Sequence, residues 1–177
     1  MIRQKAVFLD RDGVINIEKD YLFKIEDFEF ISGVMDCLKF FKQNNYLLFI
    51  ITNQSGIARK YYTLDDFNIL TSWMLNEFEK NDIKISKVEL CPHLPTDNCK
   101  CRKPNTLMID NILDNFNIDL ENSWLIGDKS SDIQCAKNAN IKNTIQVKSG
   151  HKFEHSKADF IINSLNIDEI YKIFILK

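Results

Sequence analysis

The sequence predicts an α/β fold: a Rossmann-like, mostly parallel sheet with helices on both faces, built as a single domain over residues 1–177. Three observations predict it. Short apolar runs read as buried strands, and stretches with helical apolar spacing alternate with them. Polar clusters at Asp10/Asp12, Thr52/Asn53 and Asp128 fall where apolar runs end. In sheets of this kind, ligands sit beyond the carboxyl ends of the strands.

Lys5–Asp10 is the first strand, an apolar run closed by an acid. Ser32 is placed to cap a helix over about 33–44, with Val34, Leu38 and Phe41 on one face. Tyr46–Ile51 is the next strand. Thr63-Leu-Asp-Asp66 has the form of a capping box with Asp in place of Glu, and the helix behind it carries Phe67, Leu70, Met74 and Phe78. Val88–Leu90 ends a third strand, and Cys91–Lys103 is a loop. Pro104 suits the first turn of a helix bearing Leu107, Ile109, Ile112, Leu113 and Phe116. Trp124–Gly127 is a strand, followed by a helix through Ile133, Ala136 and Ala139. Thr144–Val147 and Phe160–Ile162 are further strands, and the chain is helical from Asp168.

The chain is 45% hydrophobic and 27% charged, with a net charge of −2. That supports a real core, and the missing basic excess argues against a general nucleic-acid binder. Asp10 interrupts the first apolar run too early for a signal peptide, and no run is long enough to span a bilayer. The expectation is a cytoplasmic monomer whose partner is a small molecule. The chain has five cysteines, and in a reducing compartment clustered cysteines are more often metal ligands or catalytic thiols than disulfides. Cys37 and Cys135, on predicted helices, read as packing.

Four motifs carry chemistry. In Asp10-Arg11-Asp12-Gly13, two carboxylates just past a strand can converge on one Mg²⁺, and Asp can attack phosphorus as a nucleophile. The neighbouring acid can move protons, and Gly13 permits a sharp turn. Thr52-Asn53-Gln54-Ser55 offers a hydroxyl and amides to phosphate oxygens. Arg102-Lys103 offers a planar fork and a point charge. Asp128, within Gly127-Asp128-Lys129-Ser130-Ser131-Asp132, completes an oxygen-ligand site, and Asp132 is either a supporting residue or a helix N-terminal acid. A solvated turn or exposed basic pair is the bland reading of each motif alone.

In this order the motifs resemble the haloacid dehalogenase superfamily of phosphohydrolases. The resemblance implies Asp10 as nucleophile, Asp12 as general acid/base, and Thr52 and Lys103 around the transferring phosphoryl group. It implies Mg²⁺ held by Asp10, the main-chain carbonyl of Asp12, and Asp128. Separately, Cys91-Pro-His93 and Cys99-Lys-Cys101 fit a closed tetrahedral Zn²⁺ site with a structural role. Unligated thiols, or a disulfide that a reducing compartment disfavours, are the other readings.

The stretches DRDGVIN, FEFISGV, ITNQSGIAR, CPH…CKCRKP and GDKSSD resemble more closely the D-glycero-D-manno-heptose 1,7-bisphosphate 7-phosphatases. That resemblance implies cleavage at the 7-phosphate, in nucleotide-heptose biosynthesis, by a capless core. Only a loop, a helix and a strand separate Asp12 from Thr52. Glu18, Lys19, Asp20 and Tyr21 and the zinc loop 91–103 then form walls that contact substrate. Asn53, Gln54, Ser55, Arg102 and Lys129 join them as substrate-binding residues, and Arg59 is a further candidate for the distal phosphate. The related histidinol-phosphate phosphatases share the zinc loop and are the runner-up. Leu94, where the heptose enzymes often have a second His, is a departure that bears on substrate. A phospho-receiver signalling domain and a zinc-stabilised binding protein are the alternatives from other classes. Neither accounts for both the acidic motifs and the Cys/His loop.

Overall fold

A computed structural model describes residues 3–175. Six strands form one sheet: β1 (Ala6–Leu9), β2 (Leu47–Asn53), β3 (Ile85–Cys91), β4 (Trp124–Gly127), β5 (Asn143–Val147) and β6 (Phe160–Ile162). They lie in the order β3-β2-β1-β4-β5-β6, and every neighbouring pair is parallel. The helices are α1 (Val34–Gln43), α2 (Leu64–Lys80), α3 (Leu107–Leu113), α4 (Ser130–Asn138) and α5 (Ile167–Ile175). Among the described residues, no helix is long and apolar enough to cross a membrane.

Alternation along β1 explains how one strand serves two cores. Val7 and Leu9 point into a cluster with Leu38 and Phe41 of α1, Leu70 and Met74 of α2, and Ile170 of α5. Ala6 and Phe8 point the other way, towards Met108 and Ile112 of α3 and Ala136 of α4. Both faces are therefore covered, which is why the strands read as continuous apolar runs rather than alternating ones. The chain winds from β1 outwards to β3, then crosses back to β4 and winds the other way. The order reverses between β1 and β4, and a crevice opens there at the strand carboxyl ends.

Three local expectations need correction. Ser32 does not cap α1: the N-cap is Gly33, at φ 87° and without a side-chain cap bond. The chain needs a left-handed residue at that position, and only glycine supplies one without strain. Pro104 is not in a first helical turn. It follows a cis Lys103–Pro104 peptide in a turn, and α3 begins at Leu107. Cys91 is the last residue of β3, buried and paired with Asn53, so the Cys/His loop starts on the sheet itself. The Thr63 capping box forms as expected: Thr63 Oγ1 accepts from Asp66 N–H, and Thr63 N–H donates to Asp66 Oδ2.

Candidate active site

The switch point delivers two acids to one place. Asp10 directly follows β1 and Asp128 directly follows β4. The Asp10 N–H donates to Ile126 O at 3.0 Å, which ties the two strand ends together. The approach is so close that two glycines are required. A Cβ on Gly13 would sit 2.6 Å from Gly150 Cα, and one on Gly150 would sit 2.1 Å from Asp128 Oδ2.

Lys103 is the counter-charge of this centre. Its Nζ lies 3.0 Å from Asp10 Oδ1 and 2.7 Å from Asp132 Oδ1, with its side chain 1% exposed. Burial works against the ammonium, but Asp10 and Asp132 outweigh it and hold its pKa above the ordinary lysine value. Asp10 is pushed up to about 8. Burial is the main cause, Lys103 opposes it, and Asp132, Asp128 and Asp12 add like-charge repulsion. A site with this excess of buried carboxylate calls for a further cation. Asp10, Asp128 and Asp132 each bring a ligand oxygen within 4.8 Å of the others. Asp132 is already engaged: Lys103 faces Oδ1, and Oδ2 accepts from Lys129 N–H at 2.9 Å. Asp128 Oδ1, by contrast, is buried with no hydrogen-bond partner among the described residues. Hard oxygen donors with one unspent buried carboxylate oxygen fit Mg²⁺.

Asp12 is held in a different environment from Asp10. Arg11, 1% exposed, grips both of its oxygens through Nε and Nη2 at 3.0–3.2 Å. Asn16 Nδ2 and Gln54 Nε2 also donate to it, at 3.0 and 2.9 Å. Burial alone would raise the Asp12 carboxyl, but Arg11 and these hydrogen bonds outweigh it and hold it below the ordinary range. Two carboxylates two positions apart are thus driven in opposite directions, the arrangement by which one site separates two roles. Gln54 is central to this. Its Nε2 also donates to Thr52 Oγ1 at 2.8 Å, and its Oε1 accepts from Tyr62 Oη and Arg11 Nη2. The Tyr62 ring stacks on Phe23 and lies flush against Gly56, where a Cβ would meet it at 2.1 Å.

A cavity of about 370 Å³ opens over these acids. Of the residues the sequence singles out, Asp10, Asp12, Glu18, Asp20, Tyr21, Asn53, Gln54, Ser55, Arg59, Arg102, Lys103 and Lys129 line it. Lys19 does not. Its Nζ donates to Asp27 O at 2.7 Å and lies 3.7 Å from Glu29, so the segment that carries Glu18 to the cavity sends the next side chain away from it. Thr52, 1% exposed, lies beneath the lining. Two expected substrate ligands spend their amides on the protein instead. Gln54 does so as above, and Asn53 brackets the Lys103 backbone, accepting from its N–H at 3.1 Å and donating to its carbonyl at 3.5 Å.

Tyr62, Ser131 and His151 also line the cavity and were not legible as site residues. His151 lies between Glu18 and Asp128, at 3.5 and 2.8 Å. Glu18 is pushed up to about 7 by burial and by Asp12, with His151 and Lys129 opposing.

The Cys/His loop forms the adjoining wall. Cys91 Sγ lies 3.5 Å from Cys99 Sγ and 3.6 Å from His93 Nδ1. Cys101 Sγ lies 3.6 Å from Cys99, 3.1 Å from His93 Nδ1 and 2.8 Å from Cys91. Zn–S bonds of about 2.3 Å imply tetrahedral edges of about 3.8 Å, so the cluster has the composition and scale of a Zn²⁺ cage. Its consequence for the site is mechanical. Arg102 Nη1 donates to His93 O at 3.3 Å, and Lys103 follows two residues after Cys101.

The fold and this centre define a hydrolase of the haloacid dehalogenase class, and the HAD-hydrolase-like family model matches residues 100–167. The D-glycero-alpha-D-manno-heptose-1,7-bisphosphate 7-phosphatase of Campylobacter jejuni is 49% identical over 173 residues, covering 98% of this chain and 97% of its own. The D-glycero-beta-D-manno-heptose-1,7-bisphosphate 7-phosphatase of Helicobacter pylori is 45% identical over 146 residues, covering 82% and 84%. The chain therefore belongs to the D-glycero-D-manno-heptose-1,7-bisphosphate 7-phosphatase family. In structure it is similar to a D,D-heptose 1,7-bisphosphate phosphatase from B. bronchiseptica complexed with magnesium and phosphate. The TM-score is 0.84 at 24% identity, covering 97% of this chain and 99% of that one.

Proposed function

We propose that this chain, acting as one domain, hydrolyses D-glycero-D-manno-heptose 1,7-bisphosphate to the 1-phosphate in the cytoplasm, through an aspartyl phosphate on Asp10. The observation that carries the reading is the geometry at the strand ends: Asp10 and Asp128 bring carboxylate oxygens within 4.8 Å of each other, with Lys103 Nζ 3.0 Å from Asp10 and Asp12 lining the same cavity. Asp10, Asp128 and the main-chain carbonyl of Asp12 would hold Mg²⁺, and the ion would supply charge that favours ionised Asp10 and offsets the phosphoryl oxygens. Asp10 attacks phosphorus as the bond to the C7 oxygen breaks, and Asp12 protonates that leaving oxygen. Asp12 enters as a carboxylate. A dianionic phosphate placed beside it raises its proton affinity, so the acid form arises in the complex. Asp12 then takes a proton from water, the water attacks the aspartyl phosphate, and inorganic phosphate leaves with Asp10 restored. Lys103 and the Thr52 hydroxyl steady the transferring group.

The second phosphate needs a cation away from this centre. Arg102, whose fork is anchored by the zinc loop, is that group, with Arg59 and Lys129 lining the same cavity. A charge-assisted hydrogen bond of about 1.5–3 kcal/mol sets the scale. Arg102→Ala should lower kcat/KM for the bisphosphate by about 10- to 100-fold and leave a small monophosphate ester within about threefold. Equal losses would place Arg102 on the transferring phosphate instead. The deciding comparison for substrate is kcat/KM on the bisphosphate and on histidinol phosphate with one preparation. Glu18 and Asp20 in the cavity would suit the latter's amine, and a preference for it would overturn the heptose reading. Both anomers belong in the assay, because the relatives' names divide between them.

The zinc reading makes its own prediction. Purified protein should carry about one zinc per chain on Cys91, His93, Cys99 and Cys101. Cys101→Ser should lose it and lower kcat by roughly 10- to 100-fold by loosening Arg102 and Lys103. Elemental analysis with steady-state kinetics checks this, and a zinc-free, fully active preparation would contradict it.

A further inference from the structure

We propose that His151 is a positioning residue: its Nδ1 sets the orientation of the Asp128 carboxylate that ligates Mg²⁺. The proposal rests on the reading of Asp128 as a metal ligand. Two donors from one residue converge on a single oxygen. The His151 main-chain N–H and the ring Nδ1 each lie 2.8 Å from Asp128 Oδ2. A carboxylate oxygen only accepts, so Nδ1 carries the proton and donates. With Oδ2 doubly held, Oδ1 is the buried atom left without a partner, and the carboxylate cannot rotate to exchange the two. The ring is itself held at its far edge, where Nε2 lies 3.5 Å from Glu18 Oε1. Gly150 makes the arrangement possible, since a Cβ there would fall 2.1 Å from Oδ2 and force His151 away. Hydrogen bonds to a ligating group from outside the metal's own shell fix its direction, and losing one commonly costs about 10- to 100-fold in metal affinity or activity.

The test reads metal binding directly, in the zinc-loaded protein without substrate, by electron paramagnetic resonance of free Mn²⁺. The His151 side chain is 36% exposed, so substitution there does not open the core. His151→Ala should raise the Mn²⁺ dissociation constant by about tenfold or more. His151→Asn places an amide donor near the Nδ1 position and should stay within about threefold of wild type. His151→Gln reaches the Nε2 position instead and should behave like His151→Ala. Thermal melting confirms that each variant compared is folded. A His151→Ala constant within twofold of wild type, or equal losses for Asn and Gln, would overturn the proposal. If Asp128→Asn leaves Mn²⁺ binding intact, the Mg²⁺ reading itself fails, and the proposal fails with it. Absence of heptose turnover with these affinities as expected would count against the substrate reading alone.

Discussion

Asp10→Asn is expected to abolish turnover while leaving the protein folded, and as stable as wild type or more so. Losing a covalent nucleophile costs on the order of 10⁴- to 10⁶-fold in kcat, and the amide cannot form the acyl phosphate. The stability side follows from the direction of the Asp10 shift. Its carboxyl is raised from 3.8 to about 8 by burial, so without metal the folded state binds the proton more tightly than the unfolded chain does. Stability is then lost as pH rises through that window. A neutral amide of the same shape carries no such penalty. Melting at pH 8 in EDTA should therefore place Asp10→Asn at or above wild type, and Mg²⁺ should stabilise wild type more than the variant. Residual kcat within 100-fold of wild type would sink the covalent mechanism. A large drop in melting temperature would contradict the assignment of Asp10 as a strained, buried acid.

Much of this centre was legible because parallel sheets put function at strand ends. Asp10, Thr52 and Asp128 each close an apolar run, and that pattern alone brings them to one rim. What escaped were groups whose role rests on a contact that no apolar period or strand end signals. Arg11 sits inside the DxD motif and reads as filler until its fork is seen on Asp12. Tyr62 follows a turn and shows its purpose only through Gln54 and the close approach of Gly56. His151 lies in a polar stretch with no period, 23 residues from Asp128. One signal could have found it: it follows shortly after β5, at the same rim as the other strand ends. Lys19 failed for the opposite reason. Proximity to Glu18 in sequence suggests a shared wall, but the two adjacent side chains leave the backbone in different directions. Side-chain cap preference points to Ser32, but the backbone at position 33 takes a left-handed conformation that glycine supplies, and Gly33 is the N-cap. Asp132 fills both of the roles its position suggests: it pairs with Lys103 and accepts from Lys129 N–H at the start of α4.

That pair sets the second large effect. Lys103→Met keeps the length of the side chain and removes its charge, leaving Asp10, Asp128 and Asp132 mutually repelling in a buried site. Breaking one partner from a buried ion pair costs about 3–5 kcal/mol, and the side chains of Lys103 and Asp132 are each only 1% exposed, so solvent does little to screen the loss. The variant should melt well below wild type in EDTA, and Mg²⁺ should recover part of the difference by supplying positive charge. Activity should fall further than stability alone explains. Lys103 lowers the pKa of Asp10, so its removal pushes that carboxyl above about 8 and leaves more of the nucleophile protonated at neutral pH. It also removes a charge from the transferring phosphoryl group, where most of the catalysis of such reactions lies. The two effects together give an expected loss in kcat of about 10³-fold at pH 7. They also separate on a pH profile. The acid limb of kcat should move to higher pH relative to wild type, while the plateau stays low because the lost phosphoryl contact is not a matter of pH. A variant with an unmoved acid limb would mean that Lys103 acts on the phosphoryl group alone. One with a moved limb and a normal plateau would mean that it acts on Asp10 alone.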